Sequence, residues 1–190
     1  MIKIAICGGI GSGKSMVSKI LRESGAFVIS ADEVNAEMLR EQDYISLIRN
    51  TFPDVVHNNE INKKELARLI YTDEKSRLKL MEISHPIIFK RMMDRAGNHL
   101  IVFFEIPLMS KCDIKFDRIW YVSASMADRV CAIVRRDGVS ESFARKVIAL
   151  QSDEEKMIER ADVILVNTYD AVSFAEQIKT AYCSTLRQFS

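Results

Sequence analysis

The chain has 190 residues, 48% hydrophobic and 28% charged, which is ordinary usage for a folded chain and gives no compositional basis for disorder. With 27 basic against 26 acidic residues the formal charge is +1, which excludes a general duplex-tracking surface but leaves a local basic cluster for a small polyanion. The length suits one sizeable core, or a core with a small inserted subdomain.

The opening Met1–Cys7 run is apolar apart from Lys3 and is interrupted at once by Gly8–Lys14. It has neither the length nor the flanks of an export signal, and no stretch approaches the roughly 20 apolar residues of a membrane span. Cys7, Cys112, Cys131 and Cys183 are scattered, without CxxC or zinc-ligand spacing. Reduced thiols in a cytoplasmic chain are expected, with no membrane, nucleic acid or obligate protein partner.

Five short β-rich runs follow one another: Ile2–Cys7, Ala26–Ser30, Leu100–Glu105, Arg118–Ser123 and Val163–Asn167. Several are apolar without strict alternation, as parallel strands covered on both faces are. After the first run, Ser15–Ser24 sets Val17, Ile20 and Leu21 on one side of a helix that Gly25 can stop. The strand–helix–strand rhythm predicts a doubly wound α/β fold. Residues 33–98 have little strand character and read as a helical insertion. Asn62 and Glu65 have capping-box spacing there, a helix is predicted over Lys75–Ser84, and Pro86 is placed to begin another. The predicted core is 1–32 and 99–190, with a second, charged helical excursion at about 126–150.

The strongest local signal is Gly8-Gly9-Ile10-Gly11-Ser12-Gly13-Lys14-Ser15, which satisfies G-x-x-x-x-G-K-[ST] between a predicted strand and a predicted helix. Gly8 and Gly13 permit backbone conformations and approaches that a side chain would block. Successive amides and the helix N-terminus can receive phosphate oxygens, Lys14 can neutralise the β- and γ-phosphates, and Ser15 can hold a Mg²⁺ ion bridging them. A Gly-rich turn with a chance lysine is the bland alternative; the surrounding strand and helix favour a nucleotide site. The motif alone does not distinguish a kinase from another P-loop NTPase.

Asp32 follows the second predicted strand, where ligands collect in a parallel sheet. It can orient or deprotonate an acceptor hydroxyl, or cap a helix over Glu33–Arg40. Glu105, ending the third strand, either supports a metal indirectly or faces solvent. Arg129 and Arg136 are seven apart on a predicted helix, suited either to closing over a triphosphate or to an ordinary solvated face. His85, before Pro86, either meets the acceptor or is structural. Trp120 reads as strand packing.

The ordered set Gly8–Ser15, Ser30-Ala31-Asp32, His85-Pro86, Pro107-Leu108, Arg136-Asp137-Gly138, Gln151 and Ala161-Asp162…Asn167 resembles dephospho-CoA kinase over nearly the whole chain. The resemblance implies a P-loop nucleoside-kinase-like fold with a five-stranded parallel sheet, a helical acceptor-binding insertion and a lid. It implies ATP-dependent phosphorylation of the ribose 3′-hydroxyl of dephospho-CoA, giving CoA and ADP. It further implies ATP binding by Gly8, Gly9, Ile10, Gly11, Ser12, Gly13, Lys14, Ser15 and Asn167, the last near adenine. Lys14, Asp32 and Arg136 would serve catalysis, Asp32 and His85 the acceptor, and Ser15 the Mg²⁺. The chain departs from the family pattern with Arg129 where many relatives carry Gln, Ala132 where an Arg is frequent, and Lys111 near a common acidic position. The competing readings are a nucleoside or nucleotide kinase, and a regulatory protein that binds nucleotide without turnover.

Overall fold

The computed structural model describes residues 1–107, 114–150 and 154–189; Leu108, Lys111, Cys112 and Gln151 fall outside them. The chain divides into two units, one formed by Met1–Ser30 with Ala96–Ser190 and the other by Ala31–Arg95.

The first unit is built on strands β1 (Ile2–Gly8), β2 (Val28–Ser30), β5 (Ile101–Glu105), β6 (Arg118–Ser123) and β7 (Val163–Val166). They form one sheet in the order β2-β5-β1-β6-β7, every pair parallel. The order reverses about β1, so the C-terminal end of β1 is the topological switch point where ligands bind in open α/β sheets. Helices α1 (Lys14–Glu23) and α9 (Ala171–Phe189) cover one face. Ile4 and Ile6 of β1, Val17 and Leu21 of α1, Phe103, Trp120, and Phe174 and Ile178 of α9 share one core there. Trp120 is fully buried and meets Phe103 edge-on at 5.1 Å between centroids, as strand packing requires. The opposite face is covered by α8 (Glu154–Glu159), with Cys7, Ile119, Tyr121 and Met157 in contact. Burial on both sides explains why β1, β2, β5 and β6 do not alternate.

α1 ends as its sequence dictates: Gly25 adopts φ 87°, and Ala26 N–H returns to Leu21 O at 2.9 Å, satisfying last-turn carbonyls. Helices α6 (Met126–Asp137) and α7 (Glu141–Ala149) pair through Val130, Ile133, Ala144 and Ile148, and Ile10 packs on the same cluster. At the outer side of β7, Val166 N–H donates to Gln177 Oε1 and Gln177 Nε2 donates to Val166 O, both at 3.2 Å.

The second unit comprises α2 (Ala31–Met38), α3 (Gln42–Thr51), a 3-10 turn at Pro53–Val55, strands β3 (Val56–His57) and β4 (Glu60–Ile61), α4 (Lys63–Thr72) and α5 (Glu74–Ala96). The antiparallel β3–β4 hairpin departs from the strand-poor expectation. Asn58 and Asn59 both take positive φ, 48° and 64°, as a two-residue hairpin turn requires. Asn62 caps α4 as predicted, accepting from Lys64 N–H at 3.1 Å and Glu65 N–H at 3.3 Å. The Glu65 carboxylate pairs with His57 Nε2 at 2.6 Å instead of returning to the cap, so only half of the capping box forms.

Pro86 does not begin a helix. α5 runs continuously from Glu74 to Ala96 with Pro86 inside it. An interior proline costs about 3 kcal/mol. Ile88, Phe89 and Met92 of the same helix are buried, and each contributes about 1.5–3 kcal/mol, enough to offset the defect. A buried Tyr44 Oη–Ser84 Oγ hydrogen bond of 2.6 Å joins α3 to α5, and Arg91 forks onto Glu41 at 2.5 and 2.6 Å.

Candidate functional site

Gly8–Ser15 connects the C-terminal end of β1 to α1, at the switch point of the sheet. Gly13 is the N-cap of α1 with φ 100°, and Gly11 has φ 78°, conformations that side-chain-bearing residues rarely adopt. No side chain caps α1, whereas Asn62, Ser125 and Ser140 cap α4, α6 and α7. The uncapped start of α1 keeps its orphan amides and positive dipole end for an anion. Ser12 is 1% exposed and its Oγ has no hydrogen-bond partner, a polar atom that a phosphate oxygen would satisfy.

Lys14 is buried rather than peripheral. Its Nζ donates to Gly8 O at 2.7 Å and Gly9 O at 2.9 Å, folding the side chain back over the loop. Ser15 Oγ donates to Glu105 Oε1 at 3.2 Å. Glu105 pairs in register with Ile6 of β1 and Ser30 of β2, and it is only 5% exposed. The solvent-facing reading of Glu105 is therefore overturned: this strand end lies inside the sheet between two neighbours. Beneath the loop, burial pushes the Cys7 thiol up to about 12 against the opposing influence of Lys14 and Arg160, leaving it neutral and unreactive.

Arg129 is a loop contact that sequence spacing does not reveal. It is 3% exposed, its Nε donates to Ile10 O at 3.0 Å, and its Nη1 meets both Glu154 oxygens at 2.9 and 2.8 Å. Tyr121 Oη also donates to Glu154, at 2.5 Å. Burial opposes the Glu154 charge, but the bonds from Tyr121 and Arg129 outweigh it and hold the carboxyl below its usual pKa. Arg136, seven residues further along α6, is exposed and forks onto Asp137 at 2.7 and 2.8 Å. The shared face expected for the two arginines thus spans two environments.

Asn167 is buried; its Nδ2 donates to Ser12 O at 3.0 Å and its Oδ1 accepts from Tyr169 N–H at 2.9 Å. Tyr169 Oη donates to Gly11 O at 2.5 Å. Asp162 immediately precedes β7, accepting from Arg118 Nη1 at 2.6 Å and Ile119 N–H at 2.8 Å.

In the second unit, Asp32 is exposed in the first turn of α2. It is not the N-cap, because helical geometry already begins at Ala31; its carboxylate instead complements the helix dipole. His85 is half-buried within α5, its ring tilted against Phe89 at 5.3 Å, and does not sit at a junction between helices.

The family model described as dephospho-CoA kinase matches residues 2–172. The chain belongs to the dephospho-CoA kinase family. A dephospho-CoA kinase from Corynebacterium jeikeium is 32% identical over 188 residues, covering 94% of this chain and 96% of the relative. One from Bartonella quintana is 30% identical over 182 residues, with 92% and 93% covered. The crystal structure of TT1252 from Thermus thermophilus superposes with a TM-score of 0.82 at 29% identity, covering 100% of this chain and 98% of that one. The fold is that of the P-loop kinases, with a five-stranded parallel sheet and flanking helices.

Proposed function

We propose that the chain transfers the γ-phosphoryl group of ATP to the ribose 3′-hydroxyl of dephospho-CoA, releasing CoA and ADP. The observation that carries this reading is the extent of the family match, which runs from residue 2 to 172 and so includes the phosphate loop together with the whole Ala31–Arg95 unit. Phosphoryl transfer asks little covalent chemistry of a protein and much positioning and charge stabilisation. The loop amides, the start of α1 and Ser12 Oγ receive the phosphate oxygens of ATP. Lys14 Nζ, held over Gly8 and Gly9, places a positive charge against the transferring group.

Ser15 and Glu105 fit a Mg²⁺ ion. By donating its proton to Glu105, the Ser15 hydroxyl leaves its lone pairs available to a cation, with the buried carboxylate adding negative charge behind it. Among the described residues no group of three or more His, Cys, Asp or Glu forms a separate metal cage, which suits an ion held largely by phosphate and water. When bound, Mg²⁺ supplies charge neutralisation across the β- and γ-phosphates.

In this reading the Asp32 carboxylate orients the 3′-hydroxyl and accepts its proton, and His85 contributes to acceptor binding from α5. Arg136, exposed on α6, serves as a lid cation facing the triphosphate. The 126–150 helices serve as the lid and the insertion, residues 33–98, as the acceptor-binding region. The reaction belongs in the cytoplasm, where the free thiols Cys7, Cys131 and Cys183 remain reduced. No helix among the described residues is long and apolar enough to cross a membrane.

The test is incubation of purified protein with Mg-ATP and dephospho-CoA, with CoA, ADP and the phosphorylated position read by mass spectrometry and NMR. A parallel panel of nucleosides and nucleotides serves as competing acceptors. The proposal requires 3′-phosphorylated product and preference for dephospho-CoA. Faster transfer to a nucleoside, or ATP binding without transfer to any acceptor, would overturn it.

A further inference from the structure

The carbonyl side of the phosphate loop is engaged residue by residue. Gly8 O and Gly9 O accept from Lys14, within the motif itself. The next three carbonyls are held from outside it: Ile10 O by Arg129 Nε, Gly11 O by Tyr169 Oη and Ser12 O by Asn167 Nδ2, at 3.0, 2.5 and 3.0 Å. A trans peptide sets the C=O of one residue antiparallel to the N–H of the next. Fixing these three carbonyls therefore fixes the orientation of the N–H groups of Gly11, Ser12 and Gly13, the middle of which closes a turn onto Gly9 O at 3.2 Å.

The loop glycines fit this outer arrangement. A Cβ on Gly9 would fall on the guanidinium of Arg129, and one on Gly11 would lie 2.8 Å from Arg129 O. A Cβ on Gly13 would fall on the Asn167 amide. The absence of side chains at these three positions thus admits the holding residues as well as a phosphate.

The holding residues are themselves braced. Glu154, itself held by the Tyr121 hydroxyl, fixes the Arg129 guanidinium. Asn167 Oδ1 takes Tyr169 N–H, and Tyr169 adopts φ 62°, a left-handed conformation uncommon for an aromatic residue. Burial and the nearby Asp128 carboxylate raise the Tyr169 pKa above that of an ordinary phenol, keeping its hydroxyl a neutral donor.

We infer that Arg129, Asn167 and Tyr169 are positioning residues that preset the phosphate loop for nucleotide, acting through the carbonyls of Ile10, Ser12 and Gly11. The inference rests on the ATP-binding reading above. It assigns Asn167 to the loop rather than to adenine, and gives Arg129 a role separate from that of Arg136.

The experiment compares wild type, Tyr169→Phe, Arg129→Lys, Arg129→Ala and Lys14→Ala. Measurements are Mg-AMPPNP affinity by calorimetry, kcat, KM for ATP and for dephospho-CoA, and Tm. Tyr169→Phe removes one hydroxyl from an exposed residue and should weaken nucleotide binding about threefold to tenfold, the range for one hydrogen bond. Arg129→Ala should weaken it by about tenfold or more, with Arg129→Lys recovering part because an ammonium still reaches a carbonyl. The KM for dephospho-CoA should stay within about twofold of wild type, by the same local character of the contact. A purely structural role predicts lower Tm and fewer active molecules with unchanged nucleotide affinity.

Wild-type nucleotide affinity in folded Tyr169→Phe and Arg129→Lys overturns the inference while leaving the kinase reading intact. If Arg129→Ala fails to fold, those two variants decide the matter. Failure of the wild type to bind Mg-nucleotide, or full transfer activity in Lys14→Ala, instead sinks the ATP reading and the inference with it.

Discussion

Replacing Glu105 with Gln keeps the side chain's size and its acceptor oxygen but removes a negative charge behind Ser15. The existing Ser15 Oγ–Glu105 Oε1 separation is 3.2 Å, long for an O–H···O bond, so the bond contributes about 1 kcal/mol or less. Gln retains most of that. Stability should therefore change by about 1 kcal/mol at most, or about 2–4 °C in Tm for a chain of this size. The reaction should suffer far more. Losing a preorganised charge beside the transferring phosphate typically costs about 10²–10³ in kcat, or 2.7–4 kcal/mol. The assay is CoA formation against Mg²⁺ concentration at saturating ATP and dephospho-CoA, with Tm by calorimetry. The expected result is a kcat lower by about 10²–10³, a raised Mg²⁺ requirement and a Tm within about 4 °C of wild type. Wild-type kcat and Mg²⁺ dependence in the folded variant would refute the reasoning. Activity lost in proportion to a large fall in Tm would assign Glu105 to the sheet instead.

Lys14→Ala should lower CoA formation by about 10²–10⁴ while circular dichroism shows a folded chain, because the proposed mechanism puts the lost charge at the transferring phosphate; near-normal kcat/KM would remove Lys14 from the catalytic set. Asp32→Asn should reduce transfer by about 10² or more while leaving Mg-ATP affinity within about threefold, since in the proposed mechanism acceptor activation needs the carboxylate and ATP binding does not. A collapse of ATP binding in that variant would move Asp32 to the metal–phosphate site. Arg136→Ala should slow turnover by about tenfold or more with Tm changed by no more than about 3 °C, because its exposed Asp137 partner contributes about 1 kcal/mol or less to stability. Unchanged kcat would leave α6 without a lid cation at that position.

The core strands were legible because each is an apolar run with a sharp end: glycines follow Ile2–Cys7, and Glu105 ends the Ile101–Phe104 run. The phosphate loop was legible because its requirements are local, namely left-handed turns, a lysine and a helix start within eight residues. Pro86 misled because proline is a local signal, and burial of Ile88, Phe89 and Met92 overrides it from outside the segment. The β3–β4 hairpin has strands of two residues each, too short for any periodicity; Asn58-Asn59 was the available clue. Arg129 was singled out only as a possible partner of Arg136; its burial under the loop was not legible, because a buried arginine and an exposed one look alike in sequence. Its burial depends on Ile10 and Glu154, lying 119 and 25 positions away. Tyr169 carries no motif at all, and its importance appears only when its hydroxyl is traced to Gly11.

Gln177 has a consequence for how this sheet meets its surroundings. β7 is an edge strand of four residues, and Asn167 N–H, just past its end, turns inward to Ser123 O. Alternation along the strand leaves the peptide groups of Ile164 and Val166 facing outward. The Gln177 carboxamide bonds both polar groups of Val166, imitating the next strand with a single side chain. An incoming chain is left with Ile164 as its one outward pairing position on β7, too short a ladder to hold an added strand. One residue on α9 thereby terminates the sheet, so the exposed side chains of Ile164 and Val166 can be tolerated at its margin without recruiting another copy.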